Sequence, residues 1–196
     1  MRLRYLLMII PFLFMPSSVT GDFTGCTTSG VTVDEVGSGC SGNYGRESGA
    51  SSYASAVNRA FLGRVQVNCS ESSAGGTISG TFQDAIDDGR TLKLGIYSDN
   101  AGEPDTLLWS SASGVYNAGS ETSFELVTDT FSGVTFVSGN YYWFGFVTAS
   151  ADTNYRREVD VGTTRYDGLG SFAFPATWDT GGDVESTVDL VTWIAF

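Results

Sequence analysis

Carboxylates are the side chains best suited to chemistry in this sequence, because it contains 22 Asp and Glu residues and no histidine. Without histidine, the chain lacks the usual general base of serine and cysteine hydrolases and a common ligand of catalytic zinc. Two carboxylates facing each other could still hydrolyse a glycosidic bond. A carboxylate-dependent glycoside hydrolase is therefore the enzyme class that remains, although so many acids offer such a pair by composition alone.

The densest group of oxygen donors lies in one short loop between two predicted strands. Its members are Asp99, Asn100, Glu103 and Asp105. Calcium takes about six to eight oxygen ligands, so this loop is the candidate site for a structural calcium ion, and no other cofactor is predicted. The alternative is an ordinary turn, in which Asp99 and Asn100 bond their own backbone and Gly102 and Pro104 set the bend. A second, weaker acidic cluster consists of Asp84, Asp87 and Asp88.

Aromatic side chains offer a second kind of site, because the C–H face of a sugar ring stacks on them. Those predicted in or beside turns, where binding residues concentrate, are Trp109, Tyr116, Tyr155, Tyr166 and Trp178. Trp143 and Trp193 fall inside predicted strands and are expected in the core. The alternative for each turn aromatic is a partly buried anchor of its loop. These five residues form the predicted ligand-binding set, with a glycan or another cell-surface molecule as the ligand.

The three cysteines allow one disulfide and leave one thiol over. A Cys26–Cys40 bond would close a loop rich in glycine and serine, whereas a Cys40–Cys69 bond would tie the leading segment to the first core strand. The second pairing leaves Cys26, whose surroundings weakly resemble a bacterial lipidation site. The leftover cysteine could also join two copies of the chain. Either disulfide indicates an oxidising compartment.

The first 21 residues have the layout of a secretory signal peptide, with Arg2 and Arg4 ahead of an apolar run over 5–15. A bilayer requires roughly 20 apolar residues, so this run is too short and no transmembrane span is predicted. Cleavage after Gly21 would release the protein outside the cytoplasm, either secreted or at the cell surface. The alternative is a hydrophobic segment that is retained as an anchor or assembly element.

The formal net charge of −12 narrows the range of partners. A negative field repels phosphate backbones and anionic lipid headgroups, so nucleic acid is not a predicted partner. Lysine occurs only at Lys93, which leaves few groups to neutralise phosphates. Solubility in a salty or crowded external medium is the simplest explanation of the charge.

Residues 52–196 are predicted to form one all-β domain. Residues 92–97 alternate between aliphatic and other side chains, which indicates a strand with one buried face. Residues 140–148 carry apolar groups on both faces, as would a central strand covered on both sides or a strand with an exposed aromatic face. Further strands are predicted over 61–67, 77–82, 107–110, 123–127, 134–137 and 188–196. The prediction is an antiparallel, jelly-roll-like β-sandwich preceded by a flexible Gly/Ser/Thr-rich segment over 22–51.

Two stretches of the sequence resemble a recurrent extracellular module. They are LGIYSDNAGEPDTLL over 94–108 and GNYYWFGF over 139–146. The module is a β-sandwich that occurs in secreted and surface proteins of bacteria and in some phage-related proteins, and the resemblance covers about residues 52–196. It implies a jelly-roll-like fold and brings no catalytic set with it.

Three functional hypotheses follow from the sequence. The first is a non-enzymatic secreted or cell-surface binding and adhesion module, with a glycan as the ligand. The second is a structural subunit that assembles with copies of itself into a fibre or surface layer. In that case the leading segment could supply a strand to the open sheet edge of a neighbour. The third is the glycoside hydrolase.

Overall fold

The computed structural model describes residues 40–84, 90–117, 123–151, 153–159, 162–178, 183–185 and 188–196. These residues form fourteen strands, and no helix that could span a membrane occurs among them. The strands are β1 (Asn43–Gly45), β2 (Ser51–Ala54), β3 (Arg59–Gln66), β4 (Glu71–Asp84), β5 (Arg90–Asn100), β6 (Glu103–Ser110), β7 (Val115–Asn117), β8 (Glu125–Phe136), β9 (Tyr141–Thr148), β10 (Thr153–Val159), β11 (Thr164–Gly168), β12 (Asp183–Glu185), β13 (Val188–Leu190) and β14 (Thr192–Ala195). Several sequence predictions lie outside the described residues: the signal peptide over 1–21, the leading segment as far as residue 39, Cys26, Asp87 and Asp88.

The strands form two antiparallel sheets that pack face to face, which confirms the predicted all-β sandwich. Sheet 1 has the order β1-β14-β4-β10-β13, with β2 paired to β10 and β8 paired to β4. Sheet 2 has the order β12-β11-β3-β9-β5-β6, with β7 paired to β5. Strand β9 lies between β3 and β5, so the prediction of a central strand over 140–148 is confirmed.

The main core lies between the sheets, because alternate residues of each strand point to the same side. Leu94 of sheet 2 and Ile78 of sheet 1 belong to this cluster, and both are completely buried. The ring of Phe146 lies 4.7 Å from that of Phe82 and 5.3 Å from that of Phe61. Aromatic rings from both sheets therefore interlock in the interior.

A second apolar cluster lies on the outer face of sheet 2. Its buried members are Ala60, Leu62, Tyr97, Trp143, Val147, Phe174 and Trp178. The segment 169–178 crosses this face, and the Tyr97 ring lies 5.8 Å from Phe174 and 5.6 Å from Trp178. The Tyr97 hydroxyl donates to the Pro175 carbonyl at 2.7 Å. The alternation predicted over 92–97 exists, but this segment covers the second face of the strand as well.

Three strand boundaries differ from the prediction. The sheet begins before residue 52, because β1 pairs with β14 and β2 pairs with β10. The runs over 123–127 and 134–137 belong to the single strand β8, which continues through a register irregularity near Gly133, a residue with φ of 76°. The run over 188–196 divides at Val191 into β13, which pairs with β10, and β14, which pairs with β4. The ends of these strands are set by the neighbouring strands with which they form hydrogen bonds, which the local sequence does not show.

The structure contains the Cys40–Cys69 disulfide, which is one of the two predicted pairings. The Cα atoms of the two residues lie 5.1 Å apart. The backbone N–H of Cys40 also donates to the Glu71 carboxylate at 2.9 Å. These two contacts attach the described beginning of the chain to the start of β4.

Candidate functional site

A cleft with a volume of about 350 Å³ opens where β5 and β8 end and β9 begins. Its described lining consists of Ser98, Asp99, Leu108, Thr135, Gly139, Asn140, Tyr141 and Tyr142. Thr135 belongs to β8 in sheet 1, whereas the strand residues from β5, β6 and β9 belong to sheet 2. Strand ends and turns held by a rigid scaffold are frequent places for binding sites.

Asp99 is the acidic residue of this cleft, and four hydrogen bonds hold its carboxylate. Arg64 donates from Nε to Oδ1 at 2.7 Å and from Nη2 to Oδ2 at 3.0 Å. Trp143 donates from Nε1 to Oδ1 at 2.8 Å, and the Gly102 N–H donates to Oδ2 at 3.2 Å. A carboxylate has about four acceptor positions. Asp99 is therefore saturated, and its orientation is fixed.

The charges of Asp99 and Arg64 reinforce each other. Burial raises the pKa of Asp99, but the hydrogen bonds from Arg64, Gly102 and Trp143 outweigh burial and bring that pKa below its ordinary value. The hydrogen bond to Asp99 raises the pKa of Arg64 in turn. Both groups are therefore ionised at neutral pH, and together they add no net charge to the cleft.

Tyr141 is the exposed aromatic ring of the cleft, with 39 % of its surface accessible. The guanidinium carbon of Arg64 lies 3.8 Å from the ring centroid, which is a cation–π contact. Arg64 is not among the described lining residues, so it supports the ring without occupying the cleft. Because Arg64 is held in turn by the two hydrogen bonds that it donates to Asp99, the Tyr141 ring presents an ordered apolar surface.

Asn140 and Thr135 supply the polar side chains of the cleft that remain available. Both are exposed, and in the described structure neither side chain makes a hydrogen bond to the protein. In contrast, the Tyr142 hydroxyl accepts from the Val137 N–H, and Ser98 Oγ accepts from the Thr106 N–H. An amide offers a donor and an acceptor together. Asn140 can therefore recognise a pair of neighbouring hydroxyl groups.

The aromatic residues predicted to contact a ligand do not line this cleft. Tyr155 and Trp178 are only 2 % and 4 % exposed, so neither ring has a free face for a ligand in this structure. Tyr155 packs against Phe61 between the sheets, and Trp178 packs against the outer face of sheet 2. Trp109 and Tyr166 are partly buried against the main core. Turn proximity does not reveal that another segment covers a ring, and the side chain of Tyr116 is not described.

Trp143 and Trp193, the two tryptophans expected in the core, occupy different environments. Trp143 is completely buried, so that expectation is confirmed. Trp193 on β14 is partly exposed. The difference arises because β9 is covered on both faces, whereas Trp193 belongs to sheet 1, where no comparable second cluster is described.

The structure does not bring the predicted calcium ligands together. Asp99 pairs with Arg64, Glu103 pairs with Arg165, and Asp105 accepts from the Thr106 hydroxyl. Asn100 is exposed. Among the described residues no three His, Cys, Asp or Glu side chains are placed to share a cation. The geometry matches the alternative of a turn, because Ala101 and Gly102 have positive φ and the Gly102 N–H bonds back to Asp99.

Sequence reasoning missed Tyr141, Arg64 and Asn140 as site residues. Alternation along β9 places Tyr141 on the opposite face from Tyr142, and its position at the start of the strand could have marked it as accessible. Arg64 carries no comparable signal, because it is separated from Asp99 by 35 positions in the chain. Asn140 lies in a short turn whose neighbours in space come from the fold.

Comparison of the chain with protein-family models and with curated protein sequences finds no match. The class defined by the fold and the site is an antiparallel β-sandwich with a cleft at one end. The geometry of that cleft is therefore the basis for assigning a function.

Proposed function

We propose that this protein is a secreted or cell-surface binding module whose cleft at Tyr141 takes a neutral sugar ring of a glycan. The observation that carries the proposal is the exposed tyrosine ring, held by the Arg64–Asp99 pair beside the available side chains of Asn140 and Thr135. A sugar ring has an apolar C–H face and hydroxyl groups at its edge, and this arrangement complements both.

The charges around the cleft favour a neutral sugar over an acidic one. The described lining contains neither lysine nor arginine, and its one carboxylate, Asp99, is already paired with Arg64. The formal net charge of the whole chain is −12. A uronic acid or another anionic sugar would meet this field without a cation to receive it. Neutral hexose units are therefore the proposed ligand class.

The same lining favours binding over hydrolysis. Glycoside hydrolysis uses two carboxyl groups on opposite sides of the scissile bond. Asp99 is the single carboxylate of the described lining, and all of its acceptor positions are occupied. The glycosidase hypothesis therefore gains no support from this cleft.

Export is part of the proposal and rests on two features. Residues 1–21 have the pattern of a signal peptide. The Cys40–Cys69 disulfide is of the kind that persists in oxidising compartments. Both features support a protein that works outside the cytoplasm.

A glycan-binding measurement with a matched pair of tyrosine variants tests the proposal. Tyr141→Ala should reduce the affinity for neutral oligosaccharides at least tenfold, because the stacking surface is lost. Tyr53→Ala is the control, since Tyr53 is also exposed (47 %) and also lies under an arginine, with the Arg157 guanidinium 4.2 Å from its ring. Tyr53 belongs to β2 in sheet 1 and is not part of the described cleft lining.

A glycan array identifies ligands, and titration calorimetry then compares wild type, Tyr141→Ala and Tyr53→Ala. Loss of binding in Tyr141→Ala alone supports the proposal. Equal binding by all three proteins would refute the assignment of the cleft. An array that shows no neutral glycan bound, or only acidic ones, would refute the ligand class.

A further inference from the structure

Strand β8 forms a long edge of sheet 1, and no strand among the described residues pairs with its outer side. It extends over 12 residues, and in the described part of the chain it pairs with β4 alone. The β6 edge of sheet 2 differs, because the Leu107 N–H donates to the Ala176 carbonyl and the Trp178 N–H donates to the Asp105 carbonyl. An uncovered row of N–H and C=O groups is a template for another extended chain.

The regular part of this edge lies over residues 125–130. These residues pair in unbroken register with residues 77–82 of β4. Beyond them the register shifts twice, and Gly133 has φ of 76°. Such irregularities bend a strand and interrupt its ladder. An added strand can therefore pair regularly with 125–130 and not with the rest of β8.

The path of the chain at Cys40 shows which segment leaves the domain near this edge. Ahead of β1, the Gly42 carbonyl accepts from the Phe196 N–H just after β14, and the Cys40 N–H donates to Glu71 at the start of β4. Glu71 is the cross-strand neighbour of Phe136, the last residue of β8. Traced backwards, the chain thus crosses the ends of β14 and β4 and leaves the described domain beside the end of β8.

We propose that residues 31–36 of a second copy of this chain add as an antiparallel strand to residues 125–130 of β8. Val31, Thr32 and Val33 are β-branched and suit a strand. The sequence over 37–39 is Gly-Ser-Gly, which joins this run to Cys40. This interaction surface is separate from the glycan cleft and does not depend on it.

Strand direction favours a second copy over the same chain. A segment that runs towards its own Cys40 at the Phe136 end would lie parallel to β8. All described ladders of both sheets are antiparallel. Antiparallel pairing is also slightly more stable per residue, and a separate copy is free to approach in that direction.

Charge predicts how the association depends on salt. Residues 31–36 carry Asp34 and Glu35, and residues 125–130 carry Glu125 and Asp129, with no lysine or arginine in either segment. Salt screens repulsion between exposed charges. Association between copies should therefore strengthen as the NaCl concentration is raised. A basic partner strand would show the opposite dependence, because salt would weaken its attraction to the acidic edge.

The test uses the chain from Asp22 to Phe196 with Cys26→Ser, so that intermolecular disulfides play no part. Sedimentation velocity from micromolar to millimolar protein, at low and high NaCl, should show association that increases with both. Amide exchange over 125–130 should slow as the protein associates. Val33→Pro removes a backbone N–H from the donor strand and should restore the monomer, whereas Thr28→Pro, outside residues 31–36, should not.

A second experiment, with a synthetic peptide, tests separately whether residues 31–36 are the added strand and residues 125–130 the edge that receives it. A synthetic peptide of residues 29–37 should slow amide exchange over 125–130 when it is added to the Val33→Pro protein, and a scrambled peptide should not. Association of Val33→Pro equal to that of wild type would overturn the proposal, as would an assembly in which 125–130 exchanges freely. A protein that stays monomeric at every protein and NaCl concentration would also overturn the proposal. This includes a monomer in which its own chain already protects the amides of 125–130 from exchange.

Discussion

The Asp99 carboxylate accepts two hydrogen bonds from Arg64, one from Trp143 and one from Gly102. These bonds set the charge of Asp99 and, through Arg64, the position of the Tyr141 ring. The acidic residue of the cleft is therefore a positioning group, and the surface that a ligand would touch is aromatic. This division of roles explains why an oxygen-rich loop need not be a cation site.

We expect Asp99→Asn to lower the free energy of unfolding by about 2 kcal/mol at neutral pH, because Arg64 loses its charged partner. The pKa of Asp99 is lowered in the folded protein. Its contribution to stability is therefore complete above about pH 4, the ordinary range of an unfolded aspartate, and is lost as pH falls through the folded pKa. Urea unfolding of the two proteins should differ at neutral pH and converge in strong acid.

Asp105→Asn is the control for this experiment, because Asp105 lies in the same hairpin and has no arginine partner among the described residues. It should cause a smaller loss at neutral pH. A difference between wild type and Asp99→Asn that persists unchanged in strong acid would contradict the assignment of the effect to the carboxylate charge.

At the scale of elements, β5 and β9 are neighbours in sheet 2, and Gly95 of one faces Gly145 of the other. The absence of a side chain leaves space for the Phe174 ring at Gly95 and for strand β3 at Gly145. A Cβ added to Gly95 would lie 2.6 Å from the Phe174 ring, whereas a Cβ added to Gly145 would overlap the carbonyl oxygen of Phe61 in β3. A ring at the end of a side chain can move, but a paired backbone cannot.

Gly145→Ala should therefore be the more destabilising of the two substitutions, with a loss of about 3 kcal/mol in the free energy of unfolding. Gly95→Ala should cost less, because Phe174 can rotate away at the expense of some packing. Urea unfolding monitored by tryptophan fluorescence measures both values. Equal losses, or a larger loss for Gly95→Ala, would contradict the expectation that the Phe174 ring moves more readily than the backbone of β3.

At the scale of the whole molecule, the Cys40–Cys69 disulfide joins positions 29 residues apart and holds the start of the described chain on β4. Closing such a loop restricts the unfolded chain and stabilises the fold by about 3–4 kcal/mol in the chain-entropy model. Domains of this kind are stable by only about 5–15 kcal/mol in total. One covalent bond therefore accounts for a substantial part of the stability.

The double variant Cys40→Ser/Cys69→Ser should lose about 3 kcal/mol of unfolding free energy, measured by urea unfolding of the oxidised proteins. Cys26→Ser is the matched control, because Cys26 takes no part in this disulfide, and it should unfold as wild type does. A similar loss in Cys26→Ser would mean that the pairing in solution differs from Cys40–Cys69.

Strands with a clear apolar pattern could be predicted from the sequence. Strands β3, β5 and β9 lie where the pattern indicates, whereas β6 begins at Glu103, ahead of the predicted run over 107–110. Strands β10 and β11 were not predictable in this way, because Asn154, Arg156 and Glu158 interrupt the apolar pattern in β10, and β11 contains Arg165 and Asp167. Both are strands because flanking strands supply ladder partners. Local composition cannot report such distant partners.

The sequence by itself determined the all-β class and the absence of histidine chemistry, because alternation and composition act locally. Only the tertiary structure decided that Tyr155 and Trp178 are buried and that Asp99 forms an ion pair with Arg64. It also decided that Tyr141 is the accessible ring of a cleft. Burial and pairing depend on residues far apart in the chain. The chemistry of a side chain follows from those neighbours, which become visible only once the two sheets are packed together.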